Sequence, residues 1–360
     1  LVEVHRDHRT FSSQVGGTEL EELEKDPEAR EARRTMLETD PPEHTRIRKL
    51  VSRNFTRGAI EKWESTARAL IAENMDEALL DHRVDFVETV ARKFPIQMIS
   101  RLLGVPDQDA EQLFHWADAV VYHNDPDFSE LLYDKEDTEP YRLLPFRSPS
   151  SLKVFEYAQK LANERAKRPE ADVVSILAAS EELTPSEFQT FFLLRVIAGN
   201  ETTRHSLSHG ALALAKFPDQ LDRLREEPDL MGAATEEILR WASPQIHFRR
   251  TAVCDTELAG VPISAGDKVV MWYISANYDE RAFADPFTLD LSRDPNPHVT
   301  FGGGGPHICL GAWMARLEVR VFLEEVVRRI RRIQADGDPE RIRSNFINGL
   351  KHLPLTLEPL

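Results

Sequence analysis

Asn296-Pro-His-Val-Thr-Phe-Gly-Gly-Gly-Gly-Pro-His-Ile-Cys-Leu-Gly-Ala-Trp-Met-Ala-Arg-Leu-Glu318 is the stretch from which the rest of the chain is read. The glycines Gly302 to Gly305 free the backbone for unusual angles and let main chain come close to a flat ligand. Cys309 follows, and a helical apolar pattern starts at once after it. A cysteine just before a helix meets free N–H groups at the positive end of the dipole, a setting expected to favour thiolate over thiol.

A lone thiolate on a tight glycine loop backed by a helix is one of the few arrangements by which a protein holds haem iron through sulfur. Three other readings compete: a buried structural cysteine in a turn, a zinc site sharing His298 and His307 with Cys309, and a phosphate loop built on the G-x-G of Gly302 and Gly304. The first leaves the glycine run and His307 unexplained. The second lacks a Cys-x-x-Cys or a second ligand cluster. In the third, His307 stands where a glycine should be, and no Walker lysine follows.

Working outward, the next informative stretch is Thr184-Pro185-Ser186-Glu187, a capping box with proline at the first helical position. The helical pattern then runs to Lys216, where Phe217-Pro218 stops it. These 32 residues span roughly 48 Å. From Phe188 to Ala198 the pattern is apolar on nearly all sides, which implies burial all round. In its middle lies Ala198-Gly199-Asn200-Glu201-Thr202-Thr203. Gly199 costs about 1 kcal/mol relative to alanine, and Thr202 can bond back to a carbonyl and open a local bulge. A rule broken inside a long buried element marks a candidate functional site.

Other segments fall into place around these two. Asp40-Pro41-Pro42-Glu43 starts a basic helix reaching about Phe55, with His44 and Arg48 on one face and Arg46, Lys49 and Arg53 also present. Residues 59–120 and Ser151–Lys167 carry amphipathic helical patterns, whereas 122–148 has no period and reads as a mobile loop or broken helix. Glu237 and Arg240 can pair on one helical face. From Phe248 to Tyr273 the period shortens, with strands expected at 250–253 and 266–271 and Cys254 in a structural role. Residues 345–350 look like a hairpin turn with an apolar tip.

The 360-residue length allows a sizeable core, and the net charge of −16 argues against nucleic acid as the main partner. The two cysteines are no disulfide framework, so a reducing cytoplasm is expected. No apolar run is long enough for a membrane span; Phe188 to Ala198 is short and interrupted by Arg195.

In this order, the cysteine loop, the Ala-Gly-x-Glu-Thr-Thr core, the His-x-x-x-Arg of the basic helix and Glu-x-x-Arg resemble a bacterial cytochrome P450 over nearly the whole chain. The usual loop pattern has phenylalanine seven residues before the cysteine; here Gly302 stands there and Phe301 is one place earlier. This resembles the Phe-Gly-Gly-x-Gly-x-His variant of lipid, sterol and terpene oxidisers. Family members also carry several tens of residues before the helix that starts here, so the expected β region lacks its first strands.

The resemblance implies one mainly α domain over 1–360, an α-rich triangular prism with a small β region and haem b between the long helix and the cysteine loop. It implies Cys309 as the metal ligand and Glu201 with Thr202 as the acid–alcohol pair that hands protons to reduced dioxygen. It places His44, Arg48, Arg250 and His307 on the haem propionates, Ala198, Phe301, Gly302 and Gly311 against the macrocycle, and Glu237–Arg240 as a buried brace. The pocket is expected at Val196, Ile246, His247, Phe248, Phe346 and Ile347, closed by 122–148. The reaction implied is hydroxylation of a hydrophobic small molecule (terpene, fatty acyl or sterol-like) with O2 and electrons from a ferredoxin and its reductase, docked on Arg46, Lys49, Arg53 and Arg57. The protein is expected to work as a monomer. A peroxide-driven peroxygenase and a non-catalytic haem or lipid module are the alternatives; the intact Glu201–Thr202 pair speaks against the first.

Overall fold

Helical periodicity becomes helix almost wherever the sequence carries it. The computed structural model describes residues 1–129, 131–132 and 135–360. In chain order the helices are α1 (Val2–Arg6), α2 (Pro27–Arg33), α3 (Glu43–Ser52), α4 (Arg57–Ile60), α5 (Glu64–Asp81), α6 (Lys93–Leu103), α7 (Asp107–Val121), α8 (Ser150–Lys167), α9 (Val173–Ala178), α10 (Pro185–Lys216), α11 (Pro218–Glu226), α12 (Met231–Ala242), α13 (Tyr273–Asn277) and α14 (Ala312–Arg329).

α10 is the axis, packed by α6, α7, α8, α12 and α14. Its capping box closes in both directions: Thr184 Oγ1 accepts from Glu187 N at 3.2 Å, and the Glu187 carboxylate accepts from Thr184 N at 2.7 Å. Phe188, Phe191, Phe192 and Leu193 are buried, and so are Leu207, Leu212 and Leu214 further along. The expected bulge is absent. Thr202 Oγ1 donates to Ala198 O at 2.9 Å, Ser206 and Ser208 bond back in the same way, and α10 stays α-helical throughout. Gly199 has another reason: a Cβ there would stand 2.8 Å from Ile99 of α6. The glycine lets the two helices approach, and the strain expected in α10 does not arise.

The strands are β1 (Phe11–Ser12), β2 (Arg83–Asp85), β3 (His247–Ala252), β4 (Thr256–Leu258), β5 (Val261–Ile263), β6 (Lys268–Trp272), β7 (Ile330–Ala335), β8 (Glu340–Arg341), β9 (Leu350–His352) and β10 (Pro354–Pro359). They form two small sheets, β1-β3-β6 and β2-β10-β7, and two hairpins, β4-β5 and β8-β9. Both strands expected between Phe248 and Tyr273 are present as β3 and β6, paired antiparallel with Phe248 opposite Met271. The tail is the expected hairpin, with Phe346 and Ile347 between β8 and β9. Cys254, expected to be structural, is exposed in the bend after β3.

Of the segment 122–148, Glu130, Tyr133 and Asp134 lie outside the described residues. The described parts turn through short 3-10 pieces at Glu139–Tyr141 and Pro145–Arg147. Arg142 pairs with Asp26 and Glu28, and Arg147 with Glu21, which ties the segment to the stretch leading into α2.

Candidate active site

The glycine loop is shaped by what lies against it. A Cβ at Gly303 would stand 2.8 Å from the Val2 Cα, and one at Gly305 only 2.2 Å from the His5 carbonyl oxygen. The glycines therefore make room for α1, whose Arg6 Nε donates to Gly303 O at 3.2 Å. Gly305 also has φ +76, which a side chain rarely adopts. Cys309 N donates to Phe301 O at 2.9 Å and closes the loop. The Phe301 ring carries the Arg316 guanidinium 4.5 Å above it.

Cys309 is exposed, and Arg195, Arg48 and Arg316 lie near enough for their charges to act on it. Burial pushes its thiol up, against the pull of the Gly311 N–H and of Arg195, Arg48 and Arg316. The expectation that the helix end alone yields a thiolate is thus corrected. α14 begins three residues later, at Ala312, and desolvation outweighs its dipole. A metal ion would remove the proton outright.

Beside the thiol lies a cluster of bases. His44 and His307 stack with ring centroids 4.3 Å apart. Both His44 ring nitrogens and His307 Nδ1 are buried without a hydrogen-bond partner, while His307 Nε2 meets Ser13 Oγ at 3.2 Å. Burial, reinforced by Arg48 and Arg250, brings His44 down to about 4 and His307 to about 2, so both rings are neutral. Arg250 is buried and Arg48 half-buried, and among the described residues neither forms an ion pair. Orphaned donors and uncompensated guanidinium groups fit a ligand that brings carboxylates. His5, which sequence reading missed, joins the cluster through Tyr273 Oη at 2.7 Å.

Opposite polarity appears in the middle of α10. Ala198 is exposed and Ile197, Gly199 and Thr202 half-buried, in a stretch of α10 that is otherwise mostly buried. Spacings of three and four residues put Ala198, Gly199 and Thr202 on one face, on which Ala198 is the exposed position and Gly199 meets Ile99 of α6. The Thr202 hydroxyl proton is spent on Ala198 O, so its lone pairs are free to accept. Glu201 is turned the other way and fully buried. Asn200 Nδ2 donates to it at 2.6 Å, Arg204 lies 3.4 Å away and His205 3.6 Å. Arg204 also holds Asp118 of α7 at 3.0 Å, and Arg92 stands 3.8 Å from the same carboxylate. Burial, with Glu201 adding repulsion against the pull of Arg204, raises Asp118 to about 7. The expected acid–alcohol pair is thus split between two sides of α10.

The expected pocket is partly redrawn. Ile246 N donates to Phe346 O at 2.9 Å, and the Phe346 ring lies 5.6 Å from both His247 and Phe248 and 6.2 Å from Phe146. Ile347 packs with Val121 and Tyr122, and Ile197 joins them. Val196 has no accessible surface and belongs to the main core, whereas its neighbour Ile197 is half-buried beside Ile347.

Behind the loop, Glu237 and Arg240 are fully buried and bound through two 2.8 Å hydrogen bonds. Arg293 and Asn296, unnoticed in the sequence, donate to the same carboxylate. On the surface, Arg46 is corrected as a docking residue, since Glu43 and Glu187 hold it. Arg57 pairs with Glu61 and lies over Trp313. Lys49 and Arg53 are exposed, with no ion pair among the described residues.

An accessible sulfur, an uncompensated basic wall and an open helical stripe accommodate one flat ligand that offers iron to the first and carboxylates to the second. That defines the haem–thiolate class. The chain belongs to the cytochrome P450 family, whose family model matches residues 15–357. It is 40% identical over 347 residues to the methyl-branched lipid omega-hydroxylase of Mycobacterium tuberculosis, covering 92% of this chain and 76% of that one. It is 40% identical to the steroid C26-monooxygenase of Mycolicibacterium smegmatis, covering 89% and 72%. The structure of a Mycobacterium marinum cytochrome P450, CYP268A2, in complex with pseudoionone superposes with TM-score 0.89 at 41% identity, covering 99% of this chain and 84% of that one. The protein is a haem-b-dependent monooxygenase with the α-rich P450 fold. Among the described residues no helix is long and apolar enough to cross a membrane.

Proposed function

We propose that this enzyme hydroxylates a hydrophobic small molecule of terpene, fatty acyl or sterol type, with electrons from a ferredoxin and its reductase. The observation that carries the proposal is the exposed Ala198 with half-buried Ile197, Gly199 and Thr202 in the middle of α10, where Ile197 and Phe346 pack on one apolar cluster and Phe248 meets Phe346. Apolar walls with few polar anchors suit a hydrophobic substrate. The names of the relatives, a lipid hydroxylase and a steroid monooxygenase, support the same substrate type.

On this reading Cys309 takes the iron, and Phe301, Gly302 and Gly311 support the macrocycle. Arg48 and Arg250 neutralise the propionates, while His44 and His307, neutral, donate N–H. Bound in this way, haem b supplies the activation and splitting of dioxygen. Thr202 positions water through its free lone pairs. Glu201 must leave Arg204 and Asn200 to reach the cavity, so proton supply is gated by that network. Glu237–Arg240 holds the loop from behind. Lys49 and Arg53, exposed and without an ion pair among the described residues, offer an acidic ferredoxin its attraction, which salt weakens.

The test is the carbon monoxide difference spectrum of the reduced protein. Wild type is expected to give the red-shifted band of sulfur ligation, and Cys309→Ser to lose it. A nitrogen-type band in wild type overturns the assignment of Cys309. Spin-state shifts with a terpene, a fatty acid and a sterol then rank the substrate types.

A further inference from the structure

Arg195, like Arg250, is a buried arginine with no ion pair among the described residues. It lies on α10 three residues before Ala198, four before Gly199 and seven before Thr202, so all four share one helical face. On that face Ala198 is exposed and Thr202 half-buried, and on the haem-thiolate reading the face borders the haem. Arg195 is 8% exposed. Its guanidinium lies 4.8 Å over the Phe191 ring and 5.6 Å over Phe55. Nε has no hydrogen-bond partner, and among the described residues no carboxylate pairs with it. The charged or ionisable groups it feels are Arg48, which repels it, and Cys309.

Burying a guanidinium costs several kcal/mol, on the order of what a paired carboxylate returns. Two aromatic faces return about 0.5–2 kcal/mol. A leucine would fill the same space without that penalty, and packing alone therefore does not account for arginine here. We propose that Arg195 is the recognition residue of a buried carboxylate-binding position in the haem cavity, filled either by a haem propionate or by the carboxylate of an acidic substrate. Flanking by Phe191 and Phe55 keeps water from the guanidinium and fixes its plane, which suits bidentate capture of a carboxylate.

The inference rests on the haem-thiolate reading, and the experiment separates the two. Arg195→Leu removes an unpaired buried charge, so the fold is expected to remain intact. Arg195→Lys keeps the charge without the planar fork. Two measurements are made on ferric holoenzyme: haem transfer to excess apomyoglobin, and spin-state titration with palmitic acid and with methyl palmitate. If a propionate fills the position, Arg195→Leu transfers haem about tenfold faster, with acid and ester binding unchanged. If a substrate carboxylate fills it, haem transfer is unchanged. Palmitic acid then weakens about tenfold while its ester does not. Arg195→Lys lies between wild type and leucine in whichever arm responds.

Unchanged haem transfer together with unchanged acid binding overturns the site. So does equal weakening of acid and ester, which marks a packing role. The carbon monoxide spectrum of the same samples reports sulfur ligation separately; its loss in wild type counts against the haem-thiolate reading, not against Arg195.

Discussion

Two buried basic clusters lie on either side of the cysteine loop, and they are built on opposite principles. Behind the loop, Glu237 receives Arg240, Arg293, Asn296 and the Asp290 N–H, while Arg240 also donates to the carbonyls of Asn277 and Pro286. In front of it, Arg48, Arg250 and Arg195 form no ion pair among the described residues, and the ring nitrogens of His44 have no hydrogen-bond partner. A buried charge with its partners in place holds a fold together. Buried charges left without partners store a cost that only a ligand removes. The same residue types thus distinguish brace from binding site by whether the protein completes the pairing itself.

The comparison breaks most visibly at Glu237. Glu237→Gln leaves Arg240 and Arg293 buried without an anion and is expected to cost about 3–5 kcal/mol in urea unfolding. Arg48→Leu is expected to leave the haem-free chain within about 0.5 kcal/mol of wild type while weakening haem retention. Equal destabilisation by both substitutions would erase the distinction drawn between the clusters.

Sequence alone revealed those parts of the site that are local. The capping box of α10 and the Glu237/Arg240 pair each lie within a few residues and are found as read, whereas the local glycine–cysteine loop is present with its glycines set against α1. What escaped depends on long-range approach. Arg293 reaches Glu237 across 56 residues, and the glycine run is sized for α1 at the far end of the chain. Arg46 is claimed by Glu187 of α10. Val196 was mistaken for a pocket residue because a helix buried on every side carries no periodic signal of which face meets the cavity. Thiolate character was overestimated because dipole and burial oppose each other, and burial cannot be read from the loop.

The next effect in size concerns the open stripe. Thr202→Ala removes free lone pairs from the cavity face and leaves the helix intact, since the lost bond to Ala198 O is redundant with the backbone. Product formed per electron pair consumed is expected to fall roughly tenfold, the balance appearing as hydrogen peroxide, with Thr202→Ser restoring most of it. Unchanged coupling would mean that the stripe is a wall rather than a proton station.

Between the completed brace and the uncompensated cavity lies the Asp118–Arg204–Glu201 network, which has one carboxylate too many for its guanidinium. Arg92 is a second cation, at 3.8 Å, but it also pairs with Glu111. The excess is relieved by a proton: burial brings Asp118 to about 7, well above its usual 3.8. A carboxyl raised by folding stabilises the native state fully below its unfolded pKa, and that contribution is lost as pH rises through the folded value. Wild type is therefore expected to lose about 1–2 kcal/mol between pH 5 and 8 relative to Asp118→Asn, whose amide cannot ionise. Parallel unfolding curves for the two proteins over that range would show that Asp118 is already ionised at pH 5. A wild-type advantage at low pH that shrinks as pH rises to about 7 and stays constant above would place a titrating proton beside Glu201, one helix face away from Thr202.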